Sequence, residues 1–215
     1  MNRRQVLTAA TAGLLTGACS SPTARSMTKV LDMTISSKPA YPEDYPDKLP
    51  YASIGAQIDN GSPSLLILGK IVDNDLHWIS ADREVIVTRF GRIMQTVGLP
   101  DNIDATELIT QDFLEPDSPR IETFQRTIDI AKSRAFGLRI ESHIRMLDTS
   151  VQKVGSREIL LTQIEEVCQS KELNWQFSNQ YWVDPNNYCW RSKQCLGPSG
   201  KTLSFVVTKP YLRSA

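Results

Sequence analysis

From Tyr51 onward, apolar residues come in short runs that alternate with polar ones, and clusters of turn-forming residues punctuate them. That is the period of a half-buried strand. The pattern predicts strands over 52–58, 65–72, 76–80, 84–90 and 92–97, with turns at Asn60-Gly61-Ser62, Asp73-Asn74-Asp75 and Ala81-Asp82-Arg83, and a bulge at Gly91. Residues 100–120, with Pro100, Pro116 and Pro119, read as a long connection with room for one helical turn. Strands resume over 123–131, 136–146, 150–154, 159–167, 175–183, 188–196 and 202–207. In 159–167, Leu160, Leu161, Ile164 and Val167 would also suit one face of a helix.

The predicted fold class is therefore mostly β: an antiparallel meander of about twelve strands with little helix, forming a barrel or a sandwich. This β domain spans 49–215, and its two halves meet near 100–120, packed as one barrel or two. The last hairpin is the most informative stretch. Trp175, Phe177, Asn179, Tyr181 and Val183 alternate with Gln176, Ser178, Gln180 and Trp182, which gives one buried face and one wet face. With Asp184-Pro185-Asn186-Asn187 as the turn, Val183 faces Tyr188, Tyr181 faces Trp190 and Phe177 faces Gln194 inside. Outside, Trp182 faces Cys189, Gln180 faces Arg191 and Ser178 faces Lys193. Trp182, Gln180, Arg191 and Lys193 then make a candidate glycan or partner surface, an aromatic ring beside two cations and an amide on which a sugar can stack. The competing reading is a second layer of the fold that covers Trp182.

The N-terminal fifty residues obey different rules. Arg3 and Arg4 precede an uncharged stretch, 6–15, that is too short to span a bilayer, so 1–18 read as a signal peptide. Thr16-Gly17-Ala18-Cys19 resembles a lipobox, with Cys19 as the lipidation site; the alternative is ordinary A-x-A cleavage with Cys19 incidental. Asn2-Arg3-Arg4-Gln5-Val6-Leu7 also fits a twin-arginine motif, which leaves the export route open. Residues 19–48 read as a proline-rich tether, in which Val30, Leu31, Met33 and Ile35 offer a short docking strand or helical turn. The expected partner is a membrane, reached through the lipid. Ser20 after the lipid cysteine points to the periplasmic face of the outer membrane, by analogy with familiar bacteria.

Charge and chemistry narrow the function classes. The chain has 24 basic and 24 acidic side chains. Losing Arg3 and Arg4 with the signal leaves a mature charge of −2, which argues against nucleic acid as a partner. Gly200-Lys201-Thr202 imitates the tail of a phosphate loop, but Cys195 replaces its first glycine and a strand follows it. His77 and His143 lie in separate strands without metal-ligand spacing, and there is no Gly-x-Ser-x-Gly elbow. The sequence thus calls for no cofactor, no metal and no catalytic residue, although a glycosidase pair of carboxylates is invisible to such a search. Of the cysteines left after Cys19, Cys189 and Cys195 stand six steps apart on one strand and cannot pair. Cys168 can pair with either if the sheet closes.

Tyr181-Trp182-Val183-Asp184-Pro185, Trp190-Arg191-Ser192-Lys193-Gln194 and Thr208-Lys209-Pro210-Tyr211 resemble the C-terminal signature of the YjbF/GfcB lipoprotein family. Leu49-Pro50-Tyr51-Ala52-Ser53-Ile54, Trp78-Ile79-Ser80-Ala81-Asp82, Val87-Thr88-Arg89-Phe90-Gly91-Arg92 and Thr96-Val97-Gly98-Leu99 resemble its other motifs, in the same order. Asn187 and Cys189 depart from the pattern, which has a glycine and an aliphatic there; Asn still permits a left-handed turn. The resemblance implies an antiparallel β fold and a periplasm-facing lipoprotein from capsule or exopolysaccharide loci, working with the secretion machinery and its polysaccharide. A scaffold without sugar affinity and a polysaccharide hydrolase are the alternatives.

Overall fold

The computed structural model describes residues 44–119 and 121–211; the expected signal peptide, the expected lipidation site Cys19 and most of the expected tether lie outside the described residues. Twelve strands form one antiparallel sheet. They are β1 (Ser53–Ile58), β2 (Ser64–Val72), β3 (Asp75–Ser80), β4 (Val85–Arg89), β5 (Arg92–Val97) and β6 (Ala105–Leu108), then β7 (Thr123–Ile130), β8 (Ala135–Val154), β9 (Arg157–Ser170), β10 (Trp175–Val183), β11 (Cys189–Cys195) and β12 (Thr202–Lys209). A helical turn, α1 (Tyr45–Lys48), and a 3₁₀ turn at Ala131–Ser133 are the helical pieces among the described residues.

The order β5-β4-β3-β2-β1-β12-β11-β10-β9-β8-β7-β6 is a meander in each half, joined where β1 pairs with β12. One sheet therefore runs through both halves and curls until β5 meets β6. No ladder closes that seam. Instead the Thr96 amide donates to the Ile103 carbonyl at 2.8 Å, and Thr106 Oγ1 donates to the Ile93 carbonyl at 3.4 Å. The result is a nearly closed barrel, which shields both edge strands.

The long connection contains β6 where the sequence predicts only a helical turn. The stretches 136–146 and 150–154 fuse into β8, with a register shift between Met146 and Thr149. Residues 159–167 fall within β9, so the helical alternative fails. Gly91 lies in the β4–β5 turn, where Phe90 and Gly91 have φ of 52° and 96°, the two positive values of a tight hairpin turn; it is not a bulge.

Inward positions of β7, β8 and β9 follow the expected alternation, but not all of them are apolar. Arg126 sits between Phe124 and Ile128 on β7, and Glu166 between Ile164 and Cys168 on β9. They meet Arg92 from β5 and Asp112 from the connection in the barrel's interior. Arg92 holds Asp112 with Nε and Nη2 at 2.5 and 3.1 Å, and Glu166 with Nη1 at 3.0 and 3.2 Å. Arg126 Nη1 also donates to Glu166 Oε1, and Asn179 Nδ2 donates to Glu166 Oε2 at 2.9 Å. Two guanidiniums and two carboxylates cancel, and the Arg92 guanidinium lies 4.3 Å from the Phe124 ring centroid. This cluster ties the N-terminal half to the C-terminal half.

None of the three described cysteines is in a disulfide. Cys168 is packed in the charge cluster, where burial and then Glu166 push its thiol up to about 11; burial pushes Cys189 up to about 12. Neither forms appreciable thiolate near neutrality. Iodoacetamide at pH 8 is therefore expected to leave both unmodified in the native protein and to alkylate both in urea, as read by peptide mass mapping.

Candidate functional site

Four features meet at one end of the barrel: the β2–β3 turn, the β4–β5 turn, the β10–β11 turn and the end of β12. They surround a cleft of about 420 Å³. Its walls are aromatic, with Trp78 from β3, Phe90 from the β4–β5 turn, Tyr188 and Trp190 from the last hairpin, Phe205 from β12, and Tyr211 beyond it. The volume falls in the range of small-ligand sites, about 300–1,000 Å³.

Local chemistry fixes these rings. Asp184 Oδ1 accepts from the backbone amides of Asn186 and Tyr188 at 2.9 and 3.0 Å, and Asn187 takes a φ of 62°; the turn forms where the sequence places it but runs one residue further, to Tyr188, whose carbonyl accepts from the Asp184 amide at 3.0 Å. Asp184 Oδ2 accepts from Trp190 Nε1 at 3.0 Å, which sets the indole against Tyr188, edge to face at 5.2 Å. Trp78 Nε1 donates to Thr88 Oγ1 at 2.8 Å on the opposite wall. Asn187 Nδ2 donates to the carbonyls of Phe113 and Glu115, and so pins the long connection with Pro116 at the rim. Burial pushes the Tyr188 hydroxyl up to about 12, against a backbone hydrogen bond at Tyr211, and it stays protonated at any physiological pH.

The surface drawn from the sequence is placed differently. Trp182 is 3% exposed and belongs to the main core with Val154 and Leu161. Arg191, directly opposite it, donates to Gln152 Oε1 at 3.4 Å and to the Lys153 carbonyl, so the far end of the β8–β9 ribbon lies over this face. That is the second layer. Gln180 and Lys193 are half-buried and pair with each other; the expected register was short by two, one step from a turn a residue longer, which sets Val183 opposite Cys189, and one from Trp190, an extra residue in a bulge at Trp182/Val183. A shift of two preserves the faces, so Tyr181 does point inward. Trp182→Ala would report on folding, not on ligand.

In the sequence, Trp78, Phe90, Trp190 and Tyr211 stand in separate motifs, and nothing local brings them together. Only the barrel does so. Among the described residues no group of three or more His, Cys, Asp or Glu side chains is placed to hold a metal ion. Gly200 lies in the β11–β12 turn with strand following it, and Lys201 Nζ stands 3.8 Å from Asp101.

The family model described as "Group 4 capsule polysaccharide lipoprotein gfcB, YjbF" matches residues 40–207. The chain belongs to the YjbF family. It is 25% identical to the Escherichia coli (strain K12) lipoprotein YjbF over 164 residues, 72% of this chain and 74% of that one. Against lipoprotein GfcB of the same organism it is 25% identical over 166 residues, covering 75% and 78%. The crystal structure of the hypothetical lipoprotein YmcC from Escherichia coli K12 superposes with a TM-score of 0.72 at 21% identity, over 90% of this chain and 98% of that one. At that identity the likeness shows the fold, and it is the same YmcC-like barrel. Family membership gives the chain a capsule-related role and a lipoprotein's attachment to a membrane.

Proposed function

We propose that this member of the YjbF family is a periplasm-facing accessory of capsule or exopolysaccharide secretion, anchored by lipid at Cys19 to the outer membrane, and that it holds a segment of the polysaccharide in the aromatic cleft. The observation that carries this is the cleft itself. Six rings from distant parts of the chain line one mouth of the barrel, and aromatic faces are the surfaces on which the apolar faces of sugar rings stack. Catalysis needs no part in this reading.

Calorimetry of the full-length mature protein in detergent, titrated with the host's own polysaccharide, tests it. Heat is expected, and Tyr211→Ala, which removes a half-buried ring at the chain's end and leaves the core intact, is expected to weaken binding about tenfold. No heat, together with a secretion protein retained by the immobilised chain, would establish the scaffold instead. Release of new reducing ends from the polysaccharide would establish the hydrolase.

A further inference from the structure

The glycan reading leaves open which sugar the cleft would take, and the chemistry of its walls narrows the class. Among the described residues, Asp184 is the one charged residue lining the cleft, and no Lys, Arg or His joins it. A uronate or a sulfate placed there would lose water without gaining a cation, beside a carboxylate of its own sign. The polar atoms of the floor are also committed. Trp78 Nε1 is taken by Thr88, Trp190 Nε1 by Asp184, and both protons of Asn187 Nδ2 by backbone carbonyls.

What the floor offers a ligand is therefore ring faces together with Leu76 and Val207. A hydroxyl pressed into it would lose its hydrogen bonds to water, whereas a methyl would lose nothing. Polar groups gather at the rim instead, where Asn74, Asp184 and Asn186 lie. The cleft is thus polar at its lip and apolar at depth.

Building on the glycan reading, we propose that the cleft selects neutral pyranoses that carry an apolar substituent, such as an N-acetyl or 6-deoxy methyl group, and rejects uronates. The methyl enters the floor, one ring face stacks on a wall, and the hydroxyls stay at the rim.

Three defined probes test this on the full-length mature protein in detergent: chitotriose, which is neutral and N-acetylated; cellotriose, which is neutral without the acetyl; and trigalacturonate, which is anionic. The expected order is chitotriose first, cellotriose several-fold weaker and trigalacturonate at least about tenfold weaker than chitotriose. Chitotriose should also displace the host polysaccharide. Asn186→Lys places a cation at the exposed rim away from the core, and is expected to bring trigalacturonate to within a few-fold of chitotriose. Equal or tighter binding of trigalacturonate to the unaltered protein would overturn the inference and leave the glycan reading standing. So would a bound host polysaccharide that chitotriose cannot displace. Absence of heat with the trisaccharides and with the polysaccharide would overturn both.

Discussion

Arg92→Met will cost about 3–5 kcal/mol of folding stability, a large share of the ~5–15 kcal/mol that a domain has. Arg92 is 1% exposed, and its guanidinium pairs with Asp112 and donates to both carboxylate oxygens of Glu166. Methionine fills much of the same volume, so the loss is not chiefly a cavity. It is electrostatic: Asp112 is left in the interior with the Leu114 amide as its donor, and Glu166 keeps Arg126, Asn179 and Tyr181. Urea unfolding should show a lower midpoint with an unchanged slope. Removing all four charges together need not cost as much, because a buried ion network repays a desolvation penalty it has itself incurred.

The same cluster sets the behaviour in acid. Burial would raise the Glu166 carboxyl above its ordinary value of 4.5, but Arg126 and Arg92 outweigh burial and hold it far below. A carboxylate depressed in the folded state favours folding at every pH above its unfolded value, and that contribution drains away as pH falls below about 4.5 toward the folded value. Glu166→Gln should therefore be less stable than the parent at pH 7, and should lose less further stability between pH 5 and pH 2. Thermal melts of the two proteins across that range check it. A parallel decline in both would mean that other carboxylates govern acid unfolding.

How far the sequence discloses this molecule depends on whether a feature is local. Alternation within a strand is local, and β5 and β10 appear at their observed bounds. The turn at Asp184 is local too, since its cap is an i to i+2 and i+4 affair. β6 is four residues long with no buried position, too short and too wet to declare itself. Leu147-Asp148-Thr149 falls between two expected strands, yet β8 continues through it because β9 supplies a partner on the far side of the irregularity. The register of the last hairpin needed two facts that spacing does not hold, the extra residue in the turn and the bulge at Trp190.

The charge cluster was within reach. A lone Arg between Phe124 and Ile128, and a lone Glu between Ile164 and Cys168, occupy inward positions, and a charge there must find an opposite one. Which one it finds depends on closure of the barrel. The cleft is non-local too, since Trp78 on β3 and Trp190 on β11 come to line it together only through the pairing of β1 with β12. Four of its six rings, Trp78, Phe90, Trp190 and Tyr211, stand in motifs that carry the family resemblance; Tyr188 and Phe205 stand in none.

The second large effect is expected at Gly91. Its φ of 96° is disfavoured for a residue with a side chain, and a Cβ there would stand 2.3 Å from Cys189 Cβ and 2.6 Å from its Sγ. The obstacle sits next to backbone and cannot swing aside, so the β4–β5 turn and β11 must part. Strain and overpacking of about 1–3 kcal/mol each give roughly 2–6 kcal/mol for Gly91→Ala. Parting them also pulls on Gln194 Nε2, which donates to the Gly91 carbonyl at 2.9 Å and so ties this turn to the charge cluster through Tyr181. Both Gly91 and Cys189 line the cleft, so ligand affinity should fall along with stability. Cys189→Gly removes both close contacts and leaves the backbone strain. Gly91→Ala should therefore cost clearly less in the Cys189→Gly background than in the parent, a coupling that a double-mutant cycle of urea midpoints measures. Equal costs in the two backgrounds would mean that the backbone conformation alone demands glycine here, and that the close approach to β11 does not.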